Sequence, residues 1–406
     1  MDQKTFGKMK QTLLEKLDTS KELTDEEIYA VIDDIVVGAP EGRTWSLGEK
    51  VRLRGELFNC LRKLDVLQEL IEDDSVTEIM VNGPESIFVE REGKLVRFEK
   101  TFSSPEKLDD VIQQVVGRCN RVVNESSPIV DARLAGGERV NVVIPPVALD
   151  GPILTIRRFP DRPITMEKLL AIGSITKECA DLLSCLVRSR YSILVGGGTG
   201  SGKTTFLGAL AEFIPSDERL ITIEDNAELR ILGVDNLVRL EAKRSNNGSS
   251  AQVTIRDLIK SALRMRPDRI IVGECRGGEA LDMLQALNTG HDGSLSTAHA
   301  NSTIDMLSRL ETMCLMSPPA LPLESIRRQI ASGVDILVHL GRRRDRSRKL
   351  LEVSEVLGFS QGEVKIHPLF AWEEGEGLVK KEELVHRDKL LRAGISLEGV
   401  DAWERA

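Results

Sequence analysis

The chain has 406 residues, of which 41% are hydrophobic and 29% charged, with a formal net charge of −9. That length exceeds one ordinary core and predicts two or three domains, while the acidic balance argues against a general nucleic-acid coat. No run approaches the roughly 18 apolar residues of a membrane span, and Met1-Asp2-Gln3-Lys4 lacks the apolar core of a signal peptide, so a cytoplasmic location is expected.

Residues 1–65 read as a charged helical region. Thr24-Asp25-Glu26-Glu27 has the form of a capping box opening a helix through Ile28, Val31, Ile32 and Ile35. A second helix is predicted over 47–67, with Gly38, Pro40 and Gly42 marking the loop between. Residues 66–160 change character. β-type runs at 78–81, 86–91 and 95–98 are divided by turn signals at Asn82-Gly83-Pro84 and Glu92-Gly93-Lys94. A helix over 105–119 and strands over 139–144 and 153–159 complete a compact α+β domain. From 161 to 406 helix and strand patterns alternate, the signature of a parallel sheet with crossover helices. Residues 245–250 read as a polar loop.

Within this last region Gly197-Gly198-Thr199-Gly200-Ser201-Gly202-Lys203-Thr204 is G-x-x-x-x-G-K-T without a mismatch. A strand-like run precedes it and a helix-like run follows, the context that a phosphate-binding loop requires. Glycines let the backbone turn tightly so that successive N–H groups point inward. Lys203 is placed for the β- and γ-phosphates and the Thr204 hydroxyl for Mg²⁺. The expected ligand is a nucleoside triphosphate.

Residues 220–225 form a strand-like run ending in Glu224 and Asp225, and 269–274 form another ending in Glu274. In such folds a neighbouring strand delivers an acid to the metal or the attacking water. Aspartate is usual on the metal side, and Glu274 suits a general base or water-positioning group; the alternative is a core strand whose carboxylate faces solvent. Residues 289–301 bunch glycines, hydroxyls and two of the five histidines, His291 and His299, and read as a phosphate sensor. The basic run Arg342-Arg343-Arg344-Asp345-Arg346-Ser347-Arg348-Lys349 lies between strand-like stretches. It reads as a solvated hairpin tip, or as a contact with a neighbouring subunit or the acidic tail. The six cysteines are scattered with no C-x-x-C pair, which predicts reduced thiols and neither disulfides nor a zinc site.

Taken in order, the loop at 197–204, Ile223-Glu224-Asp225-Asn226-Ala227-Glu228-Leu229 as an Asp box, the strand at 269–274 and a His box at 290–301 resemble the secretion ATPases of type II and type IV systems. Within these the chain most resembles the CpaF/TadA branch, the Tad/Flp pilus assembly ATPases. The likeness extends through Asp131-Ala132-Arg133-Leu134, 137–146 and 154–159, and covers roughly residues 65–370. It implies an α/β fold with a RecA-like P-loop motor domain, parallel-rich in its sheet, over 161–406. A smaller α+β, PAS-like domain at 66–160 and the helical 1–65 would precede it.

The resemblance also implies roles. Gly197, Gly198, Thr199, Gly200, Ser201, Gly202, Lys203, Thr204 and Thr205 would cradle ATP, with Thr204 and Glu224 on the Mg²⁺ side. Glu274 resembles the catalytic Walker-B glutamate and His299 the His-box histidine. Arg139 and Arg157 resemble arginines that the N-terminal domain places on the phosphates, where a guanidinium neutralises charge developing on the γ-phosphate. The implied catalytic set is therefore Glu274, Lys203, Glu224, His299, Arg139 and Arg157. A four-cysteine zinc module, frequent in the general type II pathway, is missing from the sequence. The implied machine is an ATP-hydrolysing homohexamer, held at the membrane by polytopic inner-membrane platform proteins and acting on pilin or secreted cargo. Nucleic acid is not an expected partner. A nucleic-acid translocase on the same fold is the alternative, against which 4% aromatic residues and the negative charge count; a nucleotide-binding regulator with little turnover is a third.

Overall fold

Thr24 and Ser46 each cap a helix reciprocally. The Thr24 hydroxyl accepts from the Glu27 N–H while the Glu27 carboxylate accepts from the Thr24 N–H, and Ser46 and Glu49 repeat the pattern. These caps open α2 (Asp25–Gly38) and α3 (Leu47–Arg62), which pack with α1 (Gln3–Lys16) through Met9, Leu13, Ile28, Ile32, Leu53 and Leu57. The helix predicted over 47–67 stops at Arg62. Lys63 is extended and Asp65 takes a φ of 52°, a turn that ends the helix. A separate α4 (Leu67–Glu72) follows.

This computed structural model describes residues 3–17, 24–39, 45–91, 94–102, 104–119, 121–134, 136–158, 163–243, 252–318 and 321–396. The predicted loop residues Pro40 and Gly42, the turn at 92–93, the end of the strand at Phe159 and the polar loop at 245–250 lie outside the described residues. The chain divides into two units, Met1–Asp161 and Arg162–Ala406.

In the first unit, β1 (Val76–Asn82), β2 (Ile87–Arg91), β3 (Lys94–Arg97), β4 (Ile129–Arg133), β5 (Arg139–Val143) and β6 (Ile153–Arg157) form an antiparallel sheet in the order β3-β2-β1-β6-β5-β4. Alternate residues such as Ile79 and Val81, Val140 and Val142, and Leu154 and Ile156 are buried with Leu108, Val111, Ile112 and Val115 of α5 (Pro105–Arg118). Edge strand β4 escapes sequence reading because only Val130 of its five residues is buried.

In the second unit, α6 (Met166–Ala171) and α7 (Lys177–Arg188) lead into β7 (Ile193–Gly197), α8 (Lys203–Ala211), β8 (Arg219–Glu224), β9 (Asn236–Glu241), α9 (Ile255–Ala262), β10 (Arg269–Cys275), α10 (Glu279–Asn288), β11 (Leu295–His299), α11 (Thr303–Leu315), α12 (Leu323–Gly333) and β12 (Ile336–Arg342). Strands β9, β8, β10, β11, β7 and β12 run parallel in that spatial order. The central strands are apolar throughout because both faces are covered: Ile193, Val195 and Ile271 enter one core, and Leu194, Ile270 and Val272 the other.

The alternation expected across 161–406 ends at β12. From there β13 (Arg348–Ser360), β14 (Glu363–Glu373) and β15 (Gly377–Lys380) add an antiparallel meander to the same sheet, followed by α13 (Asp388–Ala393). Glu355 of β13, only 1% exposed, accepts the N–H groups of Val385 and His386. The Tyr191 hydroxyl donates to the His386 carbonyl, and Leu384 and Leu390 join the core. Cys119, Cys179, Cys185, Cys275 and Cys314 are free thiols, and the side chain of Cys60 lies outside the description. No helix among the described residues is long and apolar enough to cross a membrane.

Candidate nucleotide-binding and hydrolysis site

Strand β7 ends at Gly197 and α8 starts at Lys203, so residues 198–202 join a buried parallel strand to a helix N-terminus. Gly200 (φ 72°) and Gly202 (φ 95°) adopt left-handed conformations that a side chain makes costly. Gly197 is required by close approach, since a Cβ there would lie 2.6 Å from the Leu340 carbonyl oxygen. The loop thereby gathers N–H groups where the helix dipole favours an anion. Lys203 Nζ fills its interior, donating to the carbonyls of Gly197 and Gly198 at 3.1 Å each and lying 3.4 Å from His299 Nδ1. Burial pulls the Lys203 ammonium below the ordinary lysine range, against the opposing pull of Glu274.

Neighbouring strands supply the other groups. His299 ends β11 opposite Gly197 of β7. Its Nε2 lies 2.7 Å from Glu274 Oε1, a contact without hydrogen-bond alignment. Burial pushes the His299 pKa down; Glu274 opposes the shift, and Lys203 and Arg276 reinforce it. A neutral imidazole then accepts from Lys203 at Nδ1 and keeps its hydrogen on Nε2, towards Glu274. The other Glu274 oxygen accepts from Arg276 Nε at 2.7 Å. An open cleft of about 400 Å³ adjoins these groups, lined by Gly198, Thr199, His299, Asn301, Asp305 and Arg309.

Glu224 ends β8, which pairs in parallel with β10, so it belongs to the same C-terminal edge of the sheet where ligands bind in open α/β folds. It is 3% exposed. One oxygen accepts from Glu228 N–H and Leu229 N–H at 2.8 and 2.9 Å; the other, Oε1, is buried with no hydrogen-bond partner. Burial raises its carboxyl above the ordinary range. Gly273 makes room for it, because a Cβ there would sit 2.8 Å from Glu224 Cγ. An orphaned buried carboxylate oxygen fits a cation. Among the described residues no cluster of three or more His, Cys, Asp or Glu is built to hold a metal alone. That suits Mg²⁺, which takes one or two protein ligands and leaves the rest to phosphates and water; Thr204 and Glu224 are the candidates.

Arg139 and Arg157 lie in the first unit. The register places Arg133, Arg139 and Arg157 in one row across β4, β5 and β6.

His291 does not join the site. It precedes β11, with Nδ1 3.3 Å from the Ala286 carbonyl, and the rise of that strand, about 13 Å, separates the two ends. Gly293 (φ 79°) of the same motif serves packing: a Cβ would lie 2.7 Å from Nη1 of Arg269, a fully buried side chain held by Glu218. The basic run does form the β12–β13 turn. Its members are partly engaged: Arg343 pairs with Glu374 and covers the Trp372 ring, Lys349 bonds the Gly173 carbonyl, and Arg348 reaches the phosphate loop. Sequence reading missed Arg276 and Arg348. Arg276 follows Glu274 by two residues, a proximity that was available as a signal; Arg348 lies 148 residues from its partner.

The model of the family described as Type II/IV secretion system protein matches residues 61–367. A putative conjugal transfer protein of Mycobacterium tuberculosis is 35% identical over 339 residues, spanning 82% of this chain and 94% of its own. The type IV secretion system protein PtlH of Bordetella pertussis is 35% identical over 303 residues, 69% of this chain and 89% of its own. Among solved structures, the pilus retraction motor PilT with bound ADP shares the fold with a TM-score of 0.52 at 22% identity, covering 72% of this chain and 82% of that one. The Legionella pneumophila ATPase DotB does so at 0.50 and 21% identity, covering 73% and 80%.

Proposed function

The chain belongs to the type II/IV secretion system ATPase family, and from that premise we propose that it hydrolyses ATP to drive a Tad/Flp-type pilus assembly or secretion machine. The observation that carries this reading is the contact chain from Lys203 through His299 to Glu274 at the mouth of the glycine loop. It joins a phosphate-binding cation to a carboxylate through a neutral imidazole that can sense what lies between them.

Entry of the phosphates would draw Lys203 off the Gly197 and Gly198 carbonyls. The loop N–H groups and Lys203 then carry the charge of the β- and γ-phosphates. Glu274, released from His299 and Arg276, orients the water and accepts its proton as oxygen bonds to the γ-phosphorus and the bond to the β-phosphate oxygen breaks. His299 reports the γ-phosphate. When bound, Mg²⁺ on Thr204 and Glu224 would neutralise phosphate charge. By the family resemblance, Arg139 and Arg157 would neutralise charge developing on the γ-phosphate.

In this reading the working particle is a homohexamer at the cytoplasmic face of the membrane. It is held there by polytopic platform proteins, through which pilin or secreted protein is moved. The test is ATP hydrolysis by the purified chain with magnesium, alone and with platform segments. No turnover in either setting would refute the motor. A second reading, a nucleic-acid translocase, draws on relatives named as conjugal transfer proteins; stimulation of hydrolysis by DNA would favour it.

A further inference from the structure

The β12–β13 hairpin leaves the sheet beside the phosphate loop, since Leu340 and Gly197 are register partners. Arg348, the first residue of β13, reaches back across it. Its Nε donates to the Gly200 carbonyl at 3.0 Å, and its Cδ lies 3.4 Å from where a Cβ on Gly202 would stand. The stem thus covers one left-handed glycine while the guanidinium holds the carbonyl of the other. Among the described residues, Gly200 is the one hydrogen-bond partner of this side chain.

A peptide group is planar and trans, so the Gly200 carbonyl and the Ser201 N–H point in opposite directions. The Ser201 N–H faces the loop interior, where it bonds the Gly198 carbonyl that also accepts from Lys203. Of the two bonds about which this peptide turns, one belongs to Gly200, and glycine is the residue that rotates most freely. Left alone, the peptide can turn over and present a carbonyl oxygen to an incoming phosphate.

We propose that Arg348 is a positioning residue that fixes the Gly200–Ser201 peptide with its N–H inward, so that the β12–β13 hairpin sets the affinity of the loop for nucleotide. This rests on the reading of residues 197–204 as a nucleotide site. The action is that of a donor at the Nε position and not of a charge on the phosphates, and this makes it testable by geometry. In glutamine the amide nitrogen occupies the place of arginine Nε, without the charge. In lysine that place is a methylene, and the charge lies further out.

The experiment measures equilibrium binding of a fluorescent ATP analogue, with KM and kcat for ATP, on the full chain. Arg348→Ala and Arg348→Lys are expected to raise Kd and KM about tenfold, the scale of one charge-assisted hydrogen bond, while kcat moves less than about twofold. Arg348→Gln is expected to restore most of the affinity. Nucleotide-free melting temperatures within about 2 °C of the wild type would exclude a folding origin. Affinity kept by Lys and lost by Gln would overturn the brace in favour of a charge effect, and wild-type binding by Arg348→Ala would overturn it outright. Lys203→Ala separates the two readings. Equal nucleotide binding by wild type and Lys203→Ala would remove the nucleotide site itself, whereas a weakened Lys203→Ala beside an unaffected Arg348→Ala removes only the brace.

Discussion

Glu274 is held by two neighbours of different kinds, a guanidinium and an imidazole, and in the proposed mechanism each must yield before it acts on water. Glu274→Gln keeps size and shape but cannot take a proton. It is expected to bind ATP and lose about 10²-fold or more in turnover, whereas Lys203→Ala should lose binding as well; a filter-binding assay beside a phosphate-release assay distinguishes them. Glu224 gives a pH signature. Burial raises its pKa above 4.5, so the folded chain takes up a proton there before the unfolded chain does. The folded state therefore gains stability from this group as pH falls through the raised value, with the gain complete below 4.5. In nucleotide-free protein, the melting temperature of the wild type relative to Glu224→Gln should rise as pH falls from neutral towards 4.5. A difference independent of pH would mean that Glu224 carries no raised pKa. Most of these residues were legible because each sits in an unbroken local motif. His291 misled because spacing along the chain says nothing about which end of a strand a residue occupies.

At the scale of elements, the site depends on strands approaching more closely than side chains ordinarily allow. Gly273 of β10 leaves the space that Glu224 of β8 fills. Gly273→Ala is expected to displace that carboxylate, cutting hydrolysis at least tenfold and costing about 1–3 kcal/mol by overpacking; paired kinetics and urea denaturation would show both. A variant losing stability alone would separate Gly273 from the site. The central strands were legible in their continuous apolar runs, and the capping box at Thr24 in its spacing. The end of α3 was not, because Asp65 adopts its left-handed turn without a glycine to announce it. The change from parallel strands to a meander at Arg348 is likewise set by the short turn, which leaves no chain for a crossover helix.

For the whole molecule, the reading as a secretion motor predicts which partner changes the rate. Single- or double-stranded DNA should leave ATPase activity within about twofold at low salt, where nonspecific contacts are strongest, and cytoplasmic segments of a platform protein should raise it. Stimulation by DNA that fades with added salt would promote the translocase. The order of the motifs made the family legible. The role of the last third of its sheet was not, because the family match ends at 367 while β14, β15 and α13 continue the same unit. The buried carboxylate of Glu355 gives that final stretch a particular property. It grips Val385 and His386 by their backbone N–H groups, and the His386 ring adds a contact of 3.0 Å to the same carboxylate. Severed in the exposed turn at Glu374–Glu376, where β14 passes into β15, the piece carrying residues 376–406 would still present its strand, its two donors and its leucines to the remainder. The chain is thus suited to fragment complementation, and a probe can be introduced on the smaller fragment and reunited with an unlabelled body.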